Sequence, residues 1–113
     1  MCAVPYYGFN AHLGDPTTLP QGKAVQAHFG RNDHSKGFSD VETAEKLRAM
    51  LAASPASAAC DVIVHDGVGH GFMNSTPDGI ARKLANGHGE HNQAIVDAAW
   101  ASTLAFLHAH LIA

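Results

Sequence analysis

Apolar and polar positions along this chain follow two different periods. Cys2 to Tyr7 is an apolar and aromatic run closed by Gly8, and a stretch rich in Gly, Pro and Thr follows through Gly22, which predicts a buried strand and then a loop. Lys23 to Phe29 (KAVQAHF) predicts a second strand, stopped by Gly30 and the polar turn Arg31-Asn32-Asp33-His34-Ser35. The period then lengthens. Ser39 with Glu42 has the form of a capping box, and Val41, Ala44, Leu47, Met50 and Leu51 share one face, which predicts a helix from about Asp40 to Ala53. The stretch AASPASAA from Ala52 to Ala59 contains Pro55 and reads as helix end and connector.

Asp61 to His65 (DVIVH) is short and β-branched, and runs into Asp66-Gly67-Val68-Gly69-His70-Gly71, so a third strand should end in a sharp loop. From about Asn92, Ile95, Val96, Ala99, Trp100, Thr103, Leu104, Leu107 and Leu111 recur at helical spacing, leaving Asp97, Ser102 and His108 for the outer face. The predicted order is strand, strand, helix, strand, helix, without internal repeat or long linker. Alternation of this kind predicts an α/β fold with about three parallel strands covered by helices.

Composition narrows the picture. At 113 residues the chain suits one small domain or part of a larger one, and 46% apolar with 15% charged residues supports a buried core rather than disorder. The net charge is -3 with histidines neutral, and the seven Lys and Arg residues are scattered, which argues against a nucleic-acid partner. No apolar run approaches the ~20 residues of a membrane span, and Met1 is not followed by a secretory pattern. Cys2 and Cys60 lack C-x-x-C spacing and are too few for a disulfide framework, so reduced thiols in a cytoplasm are expected.

In parallel sheets catalytic groups gather beyond the carboxyl ends of strands. Two such loops carry titratable residues, one placing Asp33 after the second strand and the other placing His70 after the third. A carboxylate beside an imidazole holds one tautomer and stabilises the imidazolium formed on proton uptake, so Asp33 would orient and His70 would act as general base. Spacing alone leaves the bland alternative open, because an Asp in a G-x-x-D turn ordinarily serves the turn and a loop His is ordinarily solvated.

The order of motifs weighs on that choice. Tyr6-Tyr7-Gly8, Ala27-His28-Phe29-Gly30 with Asp33 and His34, Gly69-His70-Gly71-Phe72, and Ala99-Trp100 with Thr103 to Leu107 together resemble the dienelactone hydrolase family over nearly the whole chain. The resemblance implies a partial α/β-hydrolase fold, residues 1–113 forming a C-terminal portion, and hydrolysis of small carboxylic esters or lactones without a cofactor. It also implies a Cys, Asp and His triad, in which Asp33 matches the acid and His70 the base. Phe72, Asn74 and Ser75 would line the substrate entrance, where no Arg stands ready to hold a carboxylate.

The family's nucleophile lies in a pattern like G-x-C-x-G-G between a strand and a helix. No such pattern occurs in these 113 residues, and by the resemblance the chain starts just after the nucleophile's helix. Cys2 and Cys60 each stand at the start of a predicted strand, at the edge of the sheet away from the proposed site, and are expected to be small buried residues. They would also lie on strands separated by a third, too far apart for a disulfide. Ser35 and Ser75 lack the G-x-S-x-G setting and read as turn or substrate-loop residues. The isolated chain is therefore expected to show little or no esterase activity.

Nine histidines raise a metal alternative, with His88 and His91 spaced as H-x-x-H, but the H-E-x-x-H helix pattern is absent and no metal site is expected. His65, His108, His110 and His12 read as structural or solvated. A second alternative is a non-enzymatic binding module in which Phe72, Met73 and Trp100 form core or pocket surface. An uncovered parallel sheet edge would favour self-association or a partner chain.

Overall fold

β2 (Ala24–Gly30) is the central strand of a three-stranded parallel sheet, flanked by β1 (Cys2–Ala3) and β3 (Cys60–His65) in a computed structural model that describes residues 1–10, 12 and 14–111. Its burial is nearly continuous, as expected for a strand covered on both faces. Alternation sends Ala27 and Phe29 to one face, where they pack with Val62 against Ala44, Leu47 and Leu51 of α1 (Val41–Ala52). Gln26 and His28 go to the other, beneath α3 (Gln93–Leu111), where Val68, Phe72 and Ala99 form a second cluster. The partial α/β architecture expected from the alternation is present.

The first strand is shorter and less buried than the apolar run suggests. Pairing with β2 pauses at Pro5, which has no N–H to donate, and resumes where the Pro5 carbonyl accepts the His28 N–H and the Tyr7 N–H donates to the His28 carbonyl. Tyr7 then turns out of the strand at a φ of 60°, a left-handed conformation that is costly for an aromatic residue and is held by those contacts. In the loop that follows, Ala11 and Leu13 lie outside the described residues.

The capping box at Ser39 is not formed. Asp40 is the N-cap of α1, its carboxylate accepting the Thr43 N–H at 3.3 Å, because it stands one residue closer than Ser39 to the free amides. Ser39 is instead buried beneath the loop after β3. The pattern also gave no warning of α2 (Pro77–Ala85), which is capped by the Thr76 hydroxyl accepting from Gly79 N–H at 3.1 Å, with Pro77 in its first turn. Its apolar positions do not mark the covered face, since the buried residues are Gly79 and Lys83 while Leu84 is exposed.

The buried face of α3 is Val96, Ala99, Thr103 and Phe106. Trp100, Leu104 and Leu111, expected on the core side, are 53%, 49% and 62% exposed. The apolar arc of this helix is wider than the three-stranded sheet beneath it, so one flank is left uncovered. On the far margin of the sheet, Arg48 donates to the Val62 carbonyl at 2.6 Å and ties α1 to β3. No helix among the described residues is long and apolar enough to cross a membrane.

Candidate active site

Two chain crossings at the carboxyl end of the sheet bring the Asp33 and His70 loops together. Beyond β2, Arg31 N–H donates to the His65 carbonyl and Asn32 N–H to the Val68 carbonyl, both at 2.9 Å, so the segment after β3 lies directly over the end of β2. The approach needs glycine. A Cβ on Gly30 would stand 2.6 Å from the Val68 carbonyl oxygen, and one on Gly69 would stand 2.3 Å from that of His88.

In this arrangement His70 Nδ1 lies 2.7 Å from Asp33 Oδ2. Asp33 is 3% exposed, and its other oxygen accepts the Ser35 N–H at 3.0 Å, which fixes the carboxylate plane. A carboxylate only accepts, so Nδ1 carries the proton and donates it to Asp33. The buried Ser39 hydroxyl stands 3.3 Å from the same nitrogen. His70 Nε2 makes no hydrogen bond among the described residues, and its side chain is one-third exposed. Tyr7 and His88 flank the imidazole, with ring centroids 5.5 and 5.6 Å away. The geometry can hold one imidazole tautomer, leave its lone pair open toward solvent and stabilise positive charge on the ring.

A second polar group lies on the α3 side of β2. His28 is fully buried, stacked on Tyr6 at 4.8 Å, with Nε2 3.0 Å from Gln26 Oε1 and Nδ1 2.9 Å from His65 Nε2. Gln26 Oε1 can only accept, so His28 is protonated on Nε2 and receives the His65 N–H on Nδ1. Burial, and then the neighbouring His65, hold the His28 pKa down at about 4. Burial also lowers that of His65.

The residues expected at a substrate entrance divide. Phe72 is 2% exposed and packs against Tyr7, Tyr6 and His65, so its ring supports the loop from within rather than lining an entrance. Asn74 is exposed, but its Oδ1 accepts from the Thr76 N–H and hydroxyl and shapes the approach to α2. Ser75 opens on a cleft shared with Tyr6, Tyr7 and Trp100. Ser39 and Tyr7, which border the imidazole, were not singled out as site residues from the sequence, and His88, which also borders it, was weighed only as half of an H-x-x-H metal pair. Tyr7 had a signal there in the Tyr6-Tyr7-Gly8 motif.

Both cysteines are half-buried rather than fully buried, are free, and stand at the start of their strands, where Cys2 pairs with Ala24 and Val25 with Cys60. That places Cys2 about 20 Å and Cys60 about 17 Å from the Gly30 end of the sheet at ~3.3 Å per residue. Burial raises the Cys60 thiol pKa, which disfavours thiolate. His88 and His91 do not converge: His88 lies beside His70, while His91 Nδ1 is 3.0 Å from Lys83 Nζ. Among the described residues no group of three or more His, Cys, Asp or Glu side chains is arranged to hold a metal ion.

The profile of the dienelactone hydrolase family matches residues 1–111. No curated protein matches the sequence.

Proposed function

Because the chain belongs to the dienelactone hydrolase family, whose members are α/β-hydrolases acting on small molecules, we propose that it serves hydrolysis of carboxylic esters or lactones with Asp33 as acid and His70 as general base. The observation that carries this reading is the 2.7 Å contact from His70 Nδ1 to a buried carboxylate, with Nε2 free of any partner among the described residues. Nε2 would take the proton of a thiol as it attacks the ester carbonyl. The imidazolium then gives that proton to the leaving alcohol, and water activated by Nε2 hydrolyses the acyl-thioester. Asp33 stabilises the positive ring in both half-reactions.

The nucleophile in this scheme is a Cys outside these 113 residues, since Cys2 and Cys60 stand at the other end of their strands. The same observation favours a second reading, a binding module without turnover. The free thiols agree with a reducing, cytoplasmic setting. Strand β1 has a neighbour on one side only, which supports self-association or a partner chain along its other side.

The test is hydrolysis of p-nitrophenyl acetate by this chain and by His70→Ala. The expected result is turnover near the uncatalysed rate for both. Turnover well above background that disappears in His70→Ala would place the nucleophile within the chain and overturn the assignment.

A further inference from the structure

A cleft of about 520 Å³ opens between α3 and the Tyr6-Tyr7 turn, lined by Tyr6, Tyr7, Trp100, Met73, Ser75 and Asp97 among others. Two of its aromatic walls are fixed in place. Tyr6 is stacked on His28 and its hydroxyl bonds the Thr103 hydroxyl, while the Tyr7 hydroxyl accepts the Met73 N–H at 3.1 Å. Trp100 and Asp97 lie three residues apart on α3 and so share one helix face.

Among the described residues, Asp97 is the only charged one lining the cleft. One of its oxygens accepts from Gln93 Nε2 at 2.8 Å, and it forms no salt bridge among the described residues. The ammonium of Lys83 connects to it only through His91 and Gln93. Aromatic faces are the negative poles of their quadrupoles, so an aromatic-rich lining beside an unneutralised carboxylate favours positive charge. A single carboxylate among apolar walls is poorly suited to a small inorganic cation, which needs several oxygen ligands. An alkylated ammonium, weakly hydrated and apolar at its surface, matches both features.

We infer that this cleft is a binding site for an organic cation, an ammonium group carrying alkyl substituents. Its rigid walls lower the ordering cost of binding, and Trp100, 53% exposed with no partner ring, supplies the open side that a ligand would cover. Tyr7 also flanks His70, so a bound cation would lie next to the acid–base pair. Binding itself is independent of the hydrolase proposal and is read without turnover.

The test uses choline and its neutral isostere 3,3-dimethylbutan-1-ol on the full chain, followed through the fluorescence of Trp100, the sole tryptophan. Saturable binding of choline is expected, with the alcohol at least about tenfold weaker. Asp97→Asn should weaken choline roughly fivefold. Trp100→Leu, followed by broadening of the choline methyl proton signal, should weaken it about tenfold. Both positions are exposed, so both variants should keep the parent's thermal midpoint. Equal response to the two probes, or no response from the folded chain at millimolar choline, would overturn the inference. A signal that tracks protein rather than ligand concentration would mean that a second copy covers Trp100, and would overturn it equally.

Discussion

At neutral pH the fully buried His28 is uncharged and matched to its surroundings, offering one N–H to Gln26 and one lone pair to His65. Protonation would turn Nδ1 into a second donor facing the His65 N–H and would leave a charge in a site packed by Tyr6 and Thr103. Burial first, then His65, lowers the pKa from 6.5 to about 4, with Asp61 opposing. The unfolded chain takes up this proton near 6.5 and the folded chain near 4. Between those values the unfolded state therefore binds more protons, and stability falls as pH drops through the window. The gap corresponds to about 3 kcal/mol for this one group, a large part of the ~5–15 kcal/mol that holds a typical domain folded. Urea unfolding at pH 7, 6, 5 and 4.5 measures it. His28→Gln stays neutral throughout and can bond both neighbours, so its profile should be flatter by most of that amount. Carboxylates held below their ordinary range, such as Asp40, lose their contribution in both proteins and cancel in the comparison. Parallel profiles for the two proteins would refute the reasoning.

Three other outcomes follow from the same geometry. Asp33→Asn removes the charged acceptor at His70 Nδ1, so nitrogen NMR of the imidazole should lose its strong preference for the Nδ1–H tautomer. An unchanged tautomer would mean that Ser39 or the loop, not Asp33, sets it. Gly30→Ala forces the Val68 and Gly69 backbone to retreat, and should cost about 1–3 kcal/mol in chemical unfolding together with the Asp33–His70 contact. Lys83→Met keeps the bulk of a side chain buried between α2 and the His70 loop but leaves the Phe72 carbonyl and His91 Nδ1 without their donor. A loss of about 1–3 kcal/mol, seen as a lower thermal midpoint, is expected.

Most of the fold was legible because its signals are local. The β-branched run before Gly67, the apolar spacing of Leu47 and Leu51, and the turn at Gly30 each report the conformation of their own segment. Alternation of strand and helix then restricts the sheet to a parallel arrangement. Where the local signal is ambiguous, prediction slipped: Asp40 outcompeted Ser39 as a cap, and α2 is a short helix with a Thr-Pro start whose covered residues are Gly79 and Lys83 rather than its apolar Leu84. For α3 the pattern identified the helix, but not which side of a broad apolar arc would be covered. That depends on the width of the sheet it meets, and Trp100 ended on the open flank.

For the candidate site, the sequence by itself singled out Asp33 and His70 and placed both just beyond strand ends. Their contact was a tertiary decision. Asp33 and His70 are separated by 37 positions, and meet because the Val68-Gly69 backbone can cross Gly30 at a distance that no side chain would permit. The same crossing assigned the neighbours of the imidazole, burying Phe72 as support and bringing Tyr7, Ser39 and His88 around the ring. Residue type and local period are properties of a short stretch of chain. Which side chains share a site depends on where separate loops are forced to pass, and only packing between them decides that.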